Sequence, residues 1–213
     1  MVQKRFLAAA VLLSVCGTAR GQISLTSVDA GHLTSDHKSN GGVSMLDFDG
    51  DGNIDILVTA GYDVSKKPER QASRLYWGDG KGRFTLDENN ALTDAITYGS
   101  GSTWADFDND GILDVAVSCQ LNAGCVLARG TGNRGFEILD TSPVHTDKGN
   151  SFSSVFADID SDGALDLLIC NNAYSRPDVS FFYKGDGKGG FHPRDRRIRG
   201  TEVLDRGRLL RRF

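Results

Sequence analysis

The sequence predicts an all-β protein built from an internal repeat, and three observations predict it. One pattern recurs three times: SMLDFDGDGNIDILVTA from Ser44, TWADFDNDGILDVAVSC from Thr103 and VFADIDSDGALDLLICN from Val155. Its first aspartates, Asp47, Asp106 and Asp158, lie 59 and 52 residues apart. Each copy is followed by a second shared block, G-x-G-x-x-x-F, running Gly78 to Phe84, Gly130 to Phe136 and Gly185 to Phe191. Finally, 26 glycines against 4 prolines, with no apolar period of helix length, favour many turns between short strands. The 213 residues suffice for a real core, and 39% hydrophobic with 24% charged residues is a globular, slightly polar composition.

Each element of the repeat then has a reason. The stretches after the acidic loops, IDILV, LDVAV and LDLLI, are apolar on both faces, which suits strands sandwiched between neighbouring sheets. The glycine-rich blocks are hairpin turns, and their phenylalanines anchor the outer strand in the core. A repeat of 50–60 residues holding two hairpins is one four-stranded propeller blade. Blades are therefore expected around residues 40–90, 99–142 and 150–192, within a repeat region of 22–192. Propellers close with four to eight blades, so the prediction is a partial β-propeller, an incomplete ring of about three blades. Residues 22–40 supply part of another blade at most. The polar, basic insert GYDVSKKPERQAS (61–73) lengthens the first blade, as a solvated loop or as a binding loop.

The acidic loops carry the chemistry. In LDFDGDGNIDILV, Asp47, Asp49, Asp51 and Asp55 crowd into nine residues. Two carboxylates ~5 Å apart repel by about 3 kcal/mol at an effective dielectric of ~20, so a closed, empty loop is costly. A divalent cation reverses the sign. Carboxylates at positions 1, 3 and 5 with Gly52 at position 6 form the first half of the EF-hand calcium pattern. The second half departs from it: position 12 is Val58, not glutamate, and a strand follows instead of a helix. Asp55, at position 9, is left to close the loop. The donors are all hard oxygen, which favours calcium over zinc or copper, and magnesium demands a stricter octahedron. The competing reading is three solvated acidic turns; threefold recurrence of one spacing argues against it.

Asp47–Asp55, Asp106–Asp114 and Asp158–Asp166, with their G-x-G-x-x-x-F blocks, resemble FG-GAP/VCBS repeats of integrin α-chain propellers and bacterial secreted proteins. The resemblance covers roughly residues 40–192 and implies propeller blades whose acidic loops bind calcium. Carried across, it implies three Ca2+ sites. The first uses Asp47, Asp49, Asp51 and Asp55 with the carbonyl of Asn53. The second uses Asp106, Asp108, Asp110 and Asp114 with the carbonyl of Ile112. The third uses Asp158, Asp160, Asp162 and Asp166 with the carbonyl of Ala164. Gly52, Gly111 and Gly163 make the turns. Twelve carboxylates in three small loops make the metal structural by expectation, since a ligand that binds only the native state stabilises it.

The two ends break the repeat. MVQKRFLAAAVLLSVCGTARGQ has Lys4 and Arg5, about ten apolar residues, then small residues, which is the form of a signal peptide over 1–21. The apolar run is too short to span a membrane, and no other segment spans one. The expected location is secreted or extracytoplasmic, in the periplasm or at the cell surface, where calcium is plentiful. A lipoprotein signal at Cys16 is disfavoured by Val15 before it. Residues 191–213 hold 8 Arg, no Lys and 3 acids, net +5 in a chain of net −4. The segment from 193 reads as an Arg-rich tail outside the fold: a basic arm for anionic partners, or the mark of a truncated or frameshifted longer propeller with missing blades. Cys119 and Cys125 flank the hairpin loop QLNAG and form either a disulfide or two buried thiols; Cys170 is left over.

Other motifs are absent or fail their context. GDGKGG (185–190) fits G-x-G-x-x-G literally but precedes Pro193 instead of a helix, so no dinucleotide site is expected. There is no phosphate-binding G-K-[ST], no H-E-x-x-H and no G-x-S-x-G, and the four histidines are scattered. No catalytic constellation and no nucleic-acid partner are expected. The expected role is adhesion or binding of an extracellular protein or glycan. The alternatives are a fragment of a secreted polysaccharide-active enzyme carrying such repeats, and a product without function.

Overall fold

The computed structural model describes residues 40–61, 72–172 and 179–194. The signal-peptide reading, most of the insert 61–73 and nearly all of the Arg-rich tail lie outside those residues. Within them the fold is all-β, as the repeat predicts: three four-stranded antiparallel sheets, each a meander, with no sheet closing on itself. Blade 1 holds β1 (Asn40–Leu46), β2 (Asp55–Ala60), β3 (Arg74–Gly78) and β4 (Phe84–Asp87). Blade 2 holds β5 (Gly99–Ala105), β6 (Asp114–Cys119), β7 (Val126–Gly132) and β8 (Gly135–Ile138). Blade 3 holds β9 (Ser151–Ala157), β10 (Asp166–Asn171), β11 (Phe181–Gly185) and β12 (Phe191–Pro193).

The inner strands β1, β5 and β9 stand side by side, so the blades stack in chain order. Each blade has a leading face toward the blade before it and a trailing face toward the blade after it. Alternation along a strand divides the residues between these faces. Every residue of β2 and of β6 is buried: β6 lies between blades 1 and 3, whereas β2 sets Leu57 against blade 2 and gathers Ile56 and Val58 with Tyr76 on its other side. In β10 the two faces part: Leu167 and Ile169 are buried against blade 2, whereas Leu168 is half-buried and Cys170 exposed on the trailing side.

One apolar cluster fills each junction. Between blades 1 and 2, Leu57, Leu75 and Trp77 meet Val115, Val117 and Ala128. Between blades 2 and 3, Ala116 and Leu127 meet Leu167, Ile169 and Tyr183. The second residue of the first and of the second acidic loop is a plug into the next blade. Phe48 stacks on Trp104 with centroids 4.0 Å apart, and Phe107 lies edge-on to Phe191 at 5.3 Å and tilted to Phe156 at 5.8 Å.

Two short helices complete the seals: α1 (Ala91–Ala95) and α2 (Pro143–Thr146). Asn90 caps α1 by accepting the Leu92 N–H, and α1 carries Leu92 into the first cluster. Ser142 caps α2, Pro143 begins it, and Val144 enters the second cluster. Cys119 and Cys125 are free, buried thiols, which decides between the two readings of that hairpin; Cys170 is free and exposed. No helix among the described residues is long and apolar enough to cross a membrane.

Candidate metal centres

The acidic loops join β1 to β2, β5 to β6 and β9 to β10, and the three share one construction. The first aspartate accepts backbone N–H groups from the far side of its own turn. Asp47 takes those of Gly50 and Gly52 at 2.8 and 2.9 Å. Asp106 takes those of Asp110 and Gly111 at 3.0 and 2.9 Å, and Asp158 those of Asp162 and Gly163 at 3.1 and 3.0 Å. The fifth-position aspartates Asp51, Asp110 and Asp162 accept the N–H of Asn53, Ile112 and Ala164. Position 6 needs glycine: Gly52, Gly111 and Gly163 have φ of 88°, 87° and 87°, a region that costs other residues dearly. Position 4 is also left-handed, filled by Gly50, Asn109 and Ser161 at 77°, 62° and 60°. The sequence reading passed over this second constraint, although Gly and Asn there are its usual signal.

The ninth-position aspartate explains why the acidic loop and the G-x-G-x-x-x-F block travel together. Asp55 is fully buried and accepts the N–H of Phe48 and that of Gly78, both at 2.9 Å. Asp114 repeats this with Phe107 at 2.9 Å and Gly130 at 2.8 Å. Each carboxylate thus pins the plug to the first glycine of the outer hairpin. A Cβ at Gly78, Gly130 or Gly185 would lie 2.0–2.4 Å from the carbonyl oxygen of Ile54, Leu113 or Leu165, so only glycine lets that hairpin approach. Asp166 accepts the Gly185 N–H at 3.1 Å, but its Oδ2 is buried without a partner. Burial pushes Asp114 up to about 7 despite its two backbone hydrogen bonds, and neighbouring Asp108 and Asp110 add to the rise. Burial raises Asp55 in the same way.

Three triads of carboxylates converge, each with oxygens within 4.8 Å of one another: Asp47, Asp49 and Asp55; Asp106, Asp108 and Asp114; Asp158, Asp160 and Asp162. Asp51 and Asp110 stand outside the first two triads, and Asp166 outside the third. The all-oxygen donor sets fit a hard divalent cation. Asp108 Oδ1 gives a further sign of fit: it is buried and has no hydrogen-bond partner.

Basic side chains meet the outer oxygens of each triad, and the sequence reading did not name them. Arg129 Nε lies 2.6 Å from Asp108, and Lys184 reaches both Asp160 and Asp162 while Arg194 adds a contact of 2.6 Å to Asp160. Contact with Lys184 holds Asp160 and Asp162 below the ordinary carboxylate range. Arg129 and Lys184 both precede the first glycine of the outer hairpin. In blade 1 that position is Trp77, and the cation comes from blade 2 instead: Arg134 lies over the Trp77 ring at 4.8 Å and places Nε 2.6 Å from Asp49. Asn109 likewise donates across a junction to the Gly187 carbonyl of blade 3. The first acidic loop is therefore joined to blade 2 by an ion pair, and the second to blade 3 by a side-chain hydrogen bond, in addition to the plugs.

Residues 47–117, from the first acidic loop through most of β6, match the FG-GAP-like repeat family. That span is similar to an FG-GAP-like repeat. No curated protein matches it. The matched FG-GAP-like span contains the first two triads. Blade 3 lies beyond it and repeats its strand order, acidic turn and glycine hairpin.

Proposed function

We propose that this FG-GAP-like repeat protein is an exported, calcium-binding propeller segment that acts by binding an extracellular protein or glycan. The observation that carries the calcium reading is the threefold convergence of carboxylates on turns whose own N–H groups already hold the first and fifth aspartates in place. Asp47, Asp49 and Asp55 would hold the first ion, Asp106, Asp108 and Asp114 the second, and Asp158, Asp160 and Asp162 the third. Asp51, Asp110 and Asp166, with the carbonyls of Asn53, Ile112 and Ala164, are the remaining candidate donors of the same turns. A bound calcium supplies two positive charges against three or more carboxylates, which offsets their mutual repulsion. The chain's part is to orient the acceptors. Fixed turns lower the ordering entropy that binding must overcome. Export and adhesion follow the signal-like N-terminus and the extracellular habit of FG-GAP repeats.

Isothermal titration of the chelator-stripped protein with calcium tests the metal reading, with three sites expected and Asp108→Asn reducing the count to two. A glycan and matrix-protein array, probed in calcium and again in chelator, tests the binding role. Calcium-dependent retention without turnover supports it; retention of nothing on either surface contradicts it.

A further inference from the structure

The three acidic turns share one backbone, but their counter-charges differ. In the first, Arg134 meets Asp49 of the triad, and its other contact, Asp51, lies outside it. In the second, Arg129 meets one triad carboxylate, that of Asp108. In the third, Lys184 Nζ bridges Asp160 and Asp162, both members of the triad, and Arg194 adds a second cation to Asp160. The residue types account for the difference. Trp77, Arg129 and Lys184 stand at one repeat position, before the first glycine of the outer hairpin. A guanidinium is a planar fork that pairs with the edge of a carboxylate, whereas an ammonium is a compact charge with three donors that fits between two. The ninth-position aspartate changes in step. Asp55 and Asp114 accept the plug N–H through Oδ2 and join their triads. Asp166 is 1% exposed, its Oδ2 has no partner, and it stands outside its triad.

We propose that Lys184 is a tethered counter-ion of the third turn, which calcium must displace, so that the three turns fill in two stages. The inference rests on the calcium reading of the turns. The first two turns fill first. The third fills only as Lys184 swings into water, a path open to it because all three carboxylates of that triad are exposed. The exchange weakens the site twice over: the lysine's two ion pairs are lost, and the divalent charge enters beside Arg194 with Lys184 still tethered near it. A unit charge ~6 Å from a divalent ion is worth roughly tenfold in affinity even at the dielectric of water. The third turn carries one such charge more than either of the others, so its Kd should be roughly tenfold higher. The unpartnered Asp166 oxygen argues for exchange over permanent replacement. The lysine-held turn leaves that buried acceptor unsatisfied, which costs free energy that a bound cation recovers. Between the two affinities the chain therefore answers rising calcium by releasing one lysine on blade 3.

Calorimetric titration of the chelator-stripped chain with calcium tests it. Two tight sites and a third roughly tenfold weaker are expected, the weak one lost with Asp160→Asn. Lys184→Met should tighten the third site by roughly tenfold and leave the first two unchanged. Lys184→Arg, which keeps the charge, should leave it weak. Acylation of lysines, read by mass spectrometry on the unaltered chain, follows the side chain itself. In chelator Lys184 should react more slowly than the exposed Lys188 of the adjoining hairpin, and filling the weak site should bring the two rates together. Three equal sites, a third site indifferent to Lys184→Met, or Lys184 labelling indifferent to bound calcium overturns the exchange while the calcium reading stands. Calcium that binds nowhere, in the parent or in Lys184→Met, overturns both.

Discussion

Phe107→Ala removes the plug between blades 2 and 3 and should be among the costliest single changes in the molecule. The ring is 1% exposed and touches Phe156 and Phe191 of the following blade. Truncating a buried phenylalanine to alanine costs about 3–5 kcal/mol, combining lost transfer energy with the cavity left behind. The edge-on contact with Phe191 and the tilted contact with Phe156 put this site toward the upper part of that range, since each aromatic pair contributes about 0.5–1.5 kcal/mol beyond area. Relaxation is limited because Asp114 pins the Phe107 N–H and the Gly130 N–H together, so the loop cannot slide inward to fill the void. The control is Ile159→Ala, at the same loop position of blade 3 but only half-buried; it should cost under ~1 kcal/mol. Guanidinium denaturation, with the m-value checked for constancy, reads both. A loss below ~1 kcal/mol for Phe107→Ala, or equal losses for the two variants, would refute the reasoning that each acidic loop locks the next blade.

Other outcomes follow from the same geometry. Arg129→Met removes a fixed charge beside Asp108 and should tighten calcium at the second loop, by about tenfold at low salt for a unit charge ~6 Å from a divalent ion; titrations at low and high salt read both the gain and its screening. Gly130→Ala puts a Cβ 2.4 Å from the Leu113 carbonyl oxygen and should lower the melting temperature sharply, whereas Gly132→Ala meets nothing closer than 3.6 Å and suffers only from its φ of 71°. Among Cys119, Cys125 and Cys170, a thiol reagent at pH 8 should label Cys170 first. Burial pushes Cys119 up to about 12 and raises Cys125, so mass spectrometry should find both unmodified until denaturant is added.

The repeat was legible because its constraints are local. Gly52, Gly111 and Gly163 are forced by backbone conformation, and the strand after Gly111 is apolar on both faces because it lies between two sheets. Spacing brings out the first and third aspartates of each loop, which converge in all three; it does not show that the fifth joins them only in the third loop and the ninth only in the first two. What the sequence hid is tertiary. Nothing in the spacing shows that Asp55 and Asp114 accept hydrogen bonds from a hairpin 16–23 residues away, or that burial raises their pKa. The cations were hidden for the same reason: Arg134 reaches Asp49 across 85 residues, and its place is intelligible only beside Trp77. The short helices were passed over because five and four residues leave no periodicity, although Asn90 and Ser142–Pro143 are start signals.

The most direct test of the account is a calcium titration of thermal unfolding, run on the chelator-stripped chain and on a variant combining Asp49→Asn, Asp108→Asn and Asp160→Asn. Binding only the folded state adds about 2.7 kcal/mol per site at a hundredfold excess over Kd, so the melting temperature of the parent should climb with each decade of calcium while the variant stays flat. A parent protein whose melting temperature ignores calcium from micromolar to millimolar contradicts the claim that these acidic turns are cation sites.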